Sequence, residues 1–351
     1  MSDYAVVITA RMASERLPGK ALSVYSPNGT PNLIQIVKRW QASDRDPAII
    51  VATTDGPEDG AIADLCVGYG VPCYRGSRDD VVGRMDSALK AFAPDARWIA
   101  RGSADNPLVD VGLADWRMDI LTDTNAEGLV YADDMLRLTY CATTDVWSRS
   151  GWDKIAEGSS GSQREHPGTF YFEMLHRFQW VAIQFPRREY VTPHRTELDT
   201  AQDLEMFRGL WQAWVNNGSG EFTEQRIAGM GGSGEFTKQR MTRMGGSEQR
   251  IAGMGGSARL ARINGAEGVL PTLWALCYLD EHPELAALNA SVELKTHTKV
   301  RWKKGRPVLC QTCQAQVGAN VAGNFEVGCP RCGKPLKWYS QGKPKPSMMT
   351  Y

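Results

Sequence analysis

A chain of 351 residues with 42% hydrophobic and 23% charged content can bury a full-sized core and has room for more than one domain, which excludes overall disorder. No stretch approaches the roughly 18–20 apolar residues that span a bilayer, and the N-terminus enters an apolar strand instead of a signal peptide, so a cytoplasmic protein is expected. The formal net charge of zero hides a division: beyond residue 298, Lys299, Arg301, Lys303, Lys304, Arg306, Arg331, Lys334, Lys337, Lys343 and Lys345 face the single acid Glu326, against an acidic body. Such a tail can hold nucleic acid, an acidic protein partner or the acidic part of its own chain, and composition leaves the three open.

Tyr4 to Ile8 is an apolar run with the length of an interior parallel strand, and it stops at a loop holding Arg11, Arg16 and Lys20. Ligands in open α/β sheets collect beyond the carboxyl ends of such strands, so three cations there point to a polyphosphate. Ala13, Ser14 and Gly19 are small enough to let backbone N–H groups approach an anion. The loop is not a Walker sequence, because Lys20 is followed by Ala21 and the G-x-x-x-x-G-K-[ST] spacing is missing. A solvated basic loop after an edge strand is the alternative account.

Further strands are predicted near 48–53, 71–74 and 97–101, and helices over 31–42, 57–69, 79–92 and 110–122, with Asp79 and Asp110 as N-caps. In the first helix Leu33, Ile34, Ile36, Val37 and Trp40 fall on one face. This alternation argues for βαβ units around a mostly parallel sheet with helices on both faces, an α/β fold. Apolar runs at 128–132, 140–147 and 179–185 are less regular, and an amphipathic helix from Ala201 to Val215 closes a first domain over residues 1–217.

Residues 218–258 contain a repeat: Ser219 to Gly232, Ser233 to Gly246 and the shortened Ser247 to Gly256. Each unit could form two helical turns before Gly-Gly ends it, which favours a flexible linker. A docking peptide anchored by Phe222, Ile227 and Met230 is the rival reading. Over 259–300, residues Leu270, Leu273, Trp274, Leu276, Cys277, Leu279, Leu285 and Leu288 suggest two short helices, read as a packing unit for the last domain.

Within residues 301–351, Cys310-x-x-Cys313 and Cys329-x-x-Cys332 have the spacing of a structural Zn²⁺ ribbon with four thiolates and no open position. A disulfide framework is the alternative, disfavoured in a reducing compartment. So small a segment needs the metal's binding free energy to fold. Trp302, Trp338 and Tyr339 among the cations could stack on single-stranded nucleic acid, and protein docking is equally open.

Five blocks follow the first loop in order: Ala52 to Asp55, Arg75 to Arg84, Arg101 to Asp110, Arg164 to Pro167 and Arg195 to Asp203. Together with it they resemble the cytidylyltransferase family that includes the CMP-sugar-acid synthetases, and most of all its spore-coat polysaccharide branch. The resemblance covers roughly residues 3–210. It implies a Rossmann-like nucleotidyltransferase fold of GT-A type and transfer of CMP from CTP to a sugar or sugar-acid hydroxyl with release of pyrophosphate. On spacing alone Asp105 reads as a turn residue and Asp199 as a helix cap; the resemblance makes both ligands of a catalytic Mg²⁺. It implies that Arg11, Ser14, Arg16 and Lys20 hold the triphosphate, and that Arg75, Ser77, Asp80 and Arg101 contact the nucleotide. Arg101, Glu165, His166 and Arg195 match positions that line the acceptor side. Ser103 and Pro167 depart from the family pattern, where threonine and valine are usual, and the second departure bears on the acceptor. The opposing functional class is a recruitment protein whose ribbon and repeats hold a partner while the first domain senses nucleotide. A monomer and a homodimer are both compatible with the chain.

Overall fold

The structure, a computed structural model, describes residues 2–131, 144–183, 194–217, 270 and 272–290, together with the backbone of short strands between 301 and 350. Seven strands form one sheet: β1 (Tyr4–Thr9), β2 (Ala48–Thr54), β3 (Cys73–Gly76), β4 (Trp98–Ser103), β5 (Gly128–Tyr131), β6 (Val146–Ser148) and β7 (Trp180–Ile183). Their order is β3-β2-β1-β4-β6-β5-β7. The first four are mutually parallel, β6 runs antiparallel to both β4 and β5, and β5 and β7 are parallel. Order therefore reverses between β1 and β4, the crevice where open α/β sheets bind ligands.

Seven helices connect or flank these strands: α1 (Asn32–Gln41), α2 (Gly60–Gly68), α3 (Val81–Phe92), α4 (Val111–Thr124), α5 (Arg149–Gly158), α6 (Pro167–Glu173) and α7 (Ala201–Asn217). The β1 residues Tyr4, Val6 and Ile8 face α1, α2 and α4, whereas Ala5 and Val7 face α3, α5 and α6. All five are fully buried, as expected of a central strand that must be apolar on both faces. Burying each valine or isoleucine contributes about 1.5–3 kcal/mol. The predicted strands and helices of the first 124 residues recur within a few positions. The cap of α3 is Asp80, one residue later than expected, with its carboxylate accepting from Gly83 N–H at 2.7 Å. Asp110 caps α4 through Leu113 N–H at 2.9 Å.

Two further helices follow the repeat: α8 (Thr272–Glu281) and α9 (Pro283–Ala286). The sequence reading assigns this region to the tail, but the structure packs it on the first domain. Leu270, Trp274, Ala275, Leu276 and Leu279 share a core with Leu108, Leu113, Leu198, Phe207, Leu210 and Trp214. Trp214 and Trp274 meet edge to face with centroids 5.0 Å apart. Burial of these aromatic and leucine faces explains the placement: the apolar face of α7 packs against α8 and α9 as well as Tyr25, Leu108 and Leu113.

In the tail, β8 (Arg301–Trp302) pairs with β13 (Met349–Thr350), β9 (Pro307–Leu309) with β10 (Gln316–Ala319), and β11 (Phe325–Gly328) with β12 (Pro335–Trp338), all antiparallel. The repeat at 219–256 and Cys310, Cys313, Cys329 and Cys332 lie outside the described residues. Among the described residues no helix is long and apolar enough to cross a membrane.

Asp115 of α4 accepts from Ser43 Oγ at 2.7 Å and Asp44 N–H at 2.9 Å, joining α4 to the end of α1. Burial, helped by Asp119 and Asp110, pushes its carboxyl up to about 7 despite Ser43 and Arg45. An acid whose pKa is higher folded than unfolded binds more protons when folded, so its contribution is full at low pH and is lost as pH rises through about 4 to 7. In urea titrations at about pH 5 and about pH 8, Asp115→Asn is expected to remove about 2–3 kcal/mol of the wild-type decline. Parallel pH profiles for the two proteins would contradict this.

Candidate active site

The site lies beyond the carboxyl ends of β1 and β4. The loop after β1 folds on itself: the Met12 carbonyl accepts from Ser14 N–H at 2.8 Å and Gly19 N–H at 2.9 Å. Gly19 has φ +74°, a left-handed conformation that favours glycine. Both N–H groups are thus committed within the loop, unlike the anion-facing arrangement that its small residues suggest. Met12 N–H donates at 2.6 Å to the buried Asp59, which also accepts from Thr54 Oγ1. The loop's rigidity comes from these bonds, and its side chains carry the charge.

Lys20 stands on the turn Lys20–Leu22 that follows. Its Nζ donates to Asp105 Oδ2 at 3.3 Å and to Asp199 Oδ1 at 2.7 Å. Two carboxylates from distant parts of the sequence therefore lie within reach of one ammonium. Asp199 Oδ2 also accepts from Arg16 Nη2 at 2.6 Å and Arg195 Nη2 at 3.0 Å. Burial lowers the Lys20 pKa, but Asp105 and Asp199 outweigh it and hold the group above its ordinary value. Burial raises Asp105, yet Lys20, the Ser103 hydroxyl and Arg101 overcome it and keep the carboxyl below the usual range. The Ser103 Oγ donates to Asp105 Oδ1.

Three side chains without a sequence assignment complete this cluster. Glu197 lies 3.1 Å from Arg195 Nη1, and burial followed by repulsion from Asp105 pushes its carboxyl up to about 7. Asp203 accepts from Arg195 Nε at 3.0 Å, Asp199 N–H at 2.9 Å and Thr200 N–H at 2.8 Å. Thr200 Oγ1 accepts in return from Asp203 N–H at 3.2 Å. That reciprocal pair is a capping box for α7, legible as Thr200-x-x-Asp203, and it makes Thr200 the cap while leaving the Asp199 side chain free of that role.

Asn32, the third, is fully buried at the start of α1. Its amide donates to the carbonyls of Lys20 at 3.2 Å and Ala104 at 2.6 Å, and its oxygen accepts from Tyr25 at 3.0 Å. One side chain thus fixes the cation loop against the Asp105 loop, and Leu198 N–H donates to the Asp105 carbonyl at 2.8 Å from the third side. No local motif signals a buried asparagine of this kind.

The other expected residues fall elsewhere. Arg11 is exposed at the end of β1, close enough to Arg84 to depress that guanidinium's pKa, second to burial. Arg75 braces the turn after β2, donating to Thr54 O at 3.1 Å and Gly56 O at 2.7 Å. Ser77 Oγ accepts from Asp80 N–H at 3.2 Å. Asp80 forms a two-pronged pair with Arg164, with both bonds 2.8 Å. Arg101 lies 3.5 Å from Asp145. Glu165 is exposed, and His166 precedes α6, its carbonyl accepting from Thr169 N–H at 2.8 Å.

Among the described residues no group of three or more His, Cys, Asp or Glu side chains is arranged to hold a metal. Mg²⁺ needs fewer, since it binds through one or two carboxylates plus phosphate oxygens and waters. Asp105 and Asp199 fit that donor set, and the Lys20 ammonium marks a position between them where positive charge is stabilised.

Asn32→Ala leaves the carbonyls of Lys20 and Ala104 and the Tyr25 hydroxyl without their shared partner. The expected loss of unfolding free energy in chemical denaturation is about 2–4 kcal/mol; a loss under about 0.5 kcal/mol, typical of a surface position, would show that the bridge is dispensable.

Residues 5–213 match the family model described as Cytidylyltransferase. An uncharacterized protein of Methanocaldococcus jannaschii is 31% identical over 205 residues, covering 57% of this chain and 80% of that protein. The spore coat polysaccharide biosynthesis protein SpsF of Bacillus subtilis is 27% identical over 231 residues, 60% of this chain and 88% of its own. A 3-deoxy-manno-octulosonate cytidylyltransferase of Sodalis glossinidius is 26% identical over 230 residues, 60% of this chain and 86% of its own. Among solved structures, a cytidylyltransferase from Leptospira borgpetersenii shares the fold with a TM-score of 0.55 at 23% identity, covering 66% of this chain and 94% of that one. With more than half of its length inside the family model, and its cation loop and paired aspartates at the switch point of the sheet, the chain belongs to the cytidylyltransferase family and is a nucleotidyltransferase enzyme.

Proposed function

We propose that the enzyme transfers CMP from CTP to the hydroxyl of a sugar or sugar acid, releasing pyrophosphate, in the synthesis of an activated sugar for a surface polysaccharide. The observation that carries this reading is the convergence of Lys20, Arg16, Asp105 and Asp199 at the carboxyl ends of β1 and β4. Similarity to SpsF and to the 3-deoxy-manno-octulosonate cytidylyltransferase supports a sugar-acid acceptor.

No protein nucleophile is required. Arg11, Arg16 and Lys20, with Ser14 beside them, bind and orient the triphosphate, arginine through its fork and lysine as a point charge. Arg75, Ser77 and Asp80 border the nucleoside side, and Arg101, Glu165, His166 and Arg195 the acceptor side. Asp105 and Asp199 would hold Mg²⁺, which when bound neutralises charge on the α-phosphate and the leaving pyrophosphate. Placing the acceptor oxygen in line with the α-phosphorus then supplies most of the remaining rate enhancement.

The four tail cysteines, Cys310, Cys313, Cys329 and Cys332, bind a structural Zn²⁺ in this reading. Each pair falls between two antiparallel-paired strands, β9 with β10 and β11 with β12, the short connection that a two-thiolate knuckle needs. The basic ribbon offers a docking surface for an acidic protein or nucleic-acid partner, and the whole enzyme works in the cytoplasm.

Pyrophosphate release assayed with each of four nucleoside triphosphates and a panel of sugar acids tests the reaction. CTP-dependent release is expected, with Asp105→Ala losing at least about a thousand-fold in kcat while keeping its fold by circular dichroism. CMP-product formation at the wild-type rate by that variant refutes the assignment. Metal analysis of the full chain is expected to find about one zinc per chain, and a Cys329→Ser chain with undiminished zinc would remove the ribbon from the account.

A further inference from the structure

We propose that residues 270–290, which lie beyond the family match ending at residue 213, are a positioning element of the transfer site, with Asn289 as its principal residue. The inference rests on the reading of Asp105 and Asp199 given above. It adds that a segment on the far side of the repeat sets how those two carboxylates stand to each other.

Asn289 is 1% exposed. Its amide donates to Asp203 Oδ1 at 2.8 Å and to the Arg195 carbonyl at 3.1 Å. Asp203 in turn holds Arg195 Nε and the Asp199 N–H, and Arg195 Nη2 holds the Asp199 carboxylate. One buried amide is thus a single residue removed from Asp199 by two routes. A second tie lies at His194, the neighbour of Arg195, whose Nε2 is 2.6 Å from Asp280 Oδ1 on α8.

The same segment grips the loop of the other carboxylate. Thr272 Oγ1 donates to the Leu108 carbonyl at 2.9 Å and accepts from Arg39 Nη1 at 3.1 Å. Arg39 Nη1 also donates to the Val109 carbonyl at 3.3 Å, and Arg39 Nη2 to the Leu270 carbonyl. Leu108 and Val109 follow Asp105 in the turn before α4. Between the two grips, Leu198 buries its side chain in the core made with Leu270, Trp274 and Leu276, while its N–H donates to the Asp105 carbonyl. Groups that orient ligand-bearing side chains act on affinity and rate without touching substrate, commonly by about ten- to hundred-fold.

The test uses the full chain. Asn289→Ala is expected to lower kcat about ten- to hundred-fold and to raise the Mg²⁺ concentration for half-maximal rate by a similar factor, with KM for CTP nearly constant. Asp280→Ala, at a side chain 62% exposed and so safe for folding, is expected to give a smaller change of the same kind. A merely structural role lowers the folded fraction and leaves both constants of the folded protein unchanged. A second readout, Mn²⁺ titration with CTP present followed by electron paramagnetic resonance, is independent of turnover and should show the same loss of affinity in Asn289→Ala. Wild-type protein that binds Mn²⁺ with CTP yet transfers no CMP defeats the transferase reading alone. Variants that fold, with constants and Mn²⁺ affinity within about two-fold of wild type, overturn the positioning role; if Asn289→Ala does not fold, Asp280→Ala decides by the same criterion.

Discussion

The arrangement depends on one ammonium group. Lys20 stands between Asp105 and Asp199, and Arg16 and Arg195 neutralise the second oxygen of Asp199. Without that positive charge three carboxylates, Glu197 included, would crowd a partly buried corner, where burial first and repulsion from Asp105 second already push Glu197 up to about 7. Opposite charges at such separations attract by several kcal/mol where solvent is partly excluded. In the proposed reading a triphosphate would draw Lys20 and Arg16 away from the carboxylates, and a divalent ion would take the place of the ammonium between Asp105 and Asp199. The two exchanges would be coupled electrostatically, because either alone leaves an unpaired buried charge.

The βαβ half of the fold was legible because β1 must be apolar on both faces and each following helix carries a one-sided stripe. Its cation loop was equally plain, since Arg11, Arg16 and Lys20 follow the strand directly. The second half was harder: β5, β6 and β7 are only three or four residues long, and α5 and α6 are too short for periodicity to declare them. Asp105 and Asp199 could be nominated only through resemblance, as spacing cannot tell a ligand from a cap. Asn32, Asp59 and Glu197 escaped because a buried polar residue is defined by partners far away in sequence. Arg75, Ser77 and Asp80 could likewise be nominated only through resemblance, since their partners in the structure, the carbonyls of Thr54 and Gly56, the Asp80 N–H and Arg164, lie in turns and loops that no periodicity marks.

Placement of α8 against α7 changes what the repeat is. The chain leaves the domain at Asn217 and is back on it by Leu270, so both ends of the repeat are anchored to one packed body. Closing such a loop costs entropy that grows only with the logarithm of its length, which allows whole units to be gained or lost at little expense to stability.

Pro167 departs from the family pattern, yet it occupies the first position of α6, where a missing N–H leaves nothing unsatisfied and the fixed φ suits the helix. The loop before it is held by other means. Arg164 donates to Asp80 on α3 and to the carbonyls of Ala156 and Ser159, so its guanidinium joins three segments. Gly168 lies so near the Asp145 carboxylate, the partner of Arg101, that a Cβ there would come within 3.5 Å of it. His166 thus sits between the Arg164 ion pair at the start of α3 and the Gly168 contact with Asp145, the residue before β6. In the proposed reading, where Arg101 and His166 border the acceptor, those two constraints would bear on its placement more than the residue at 167 does.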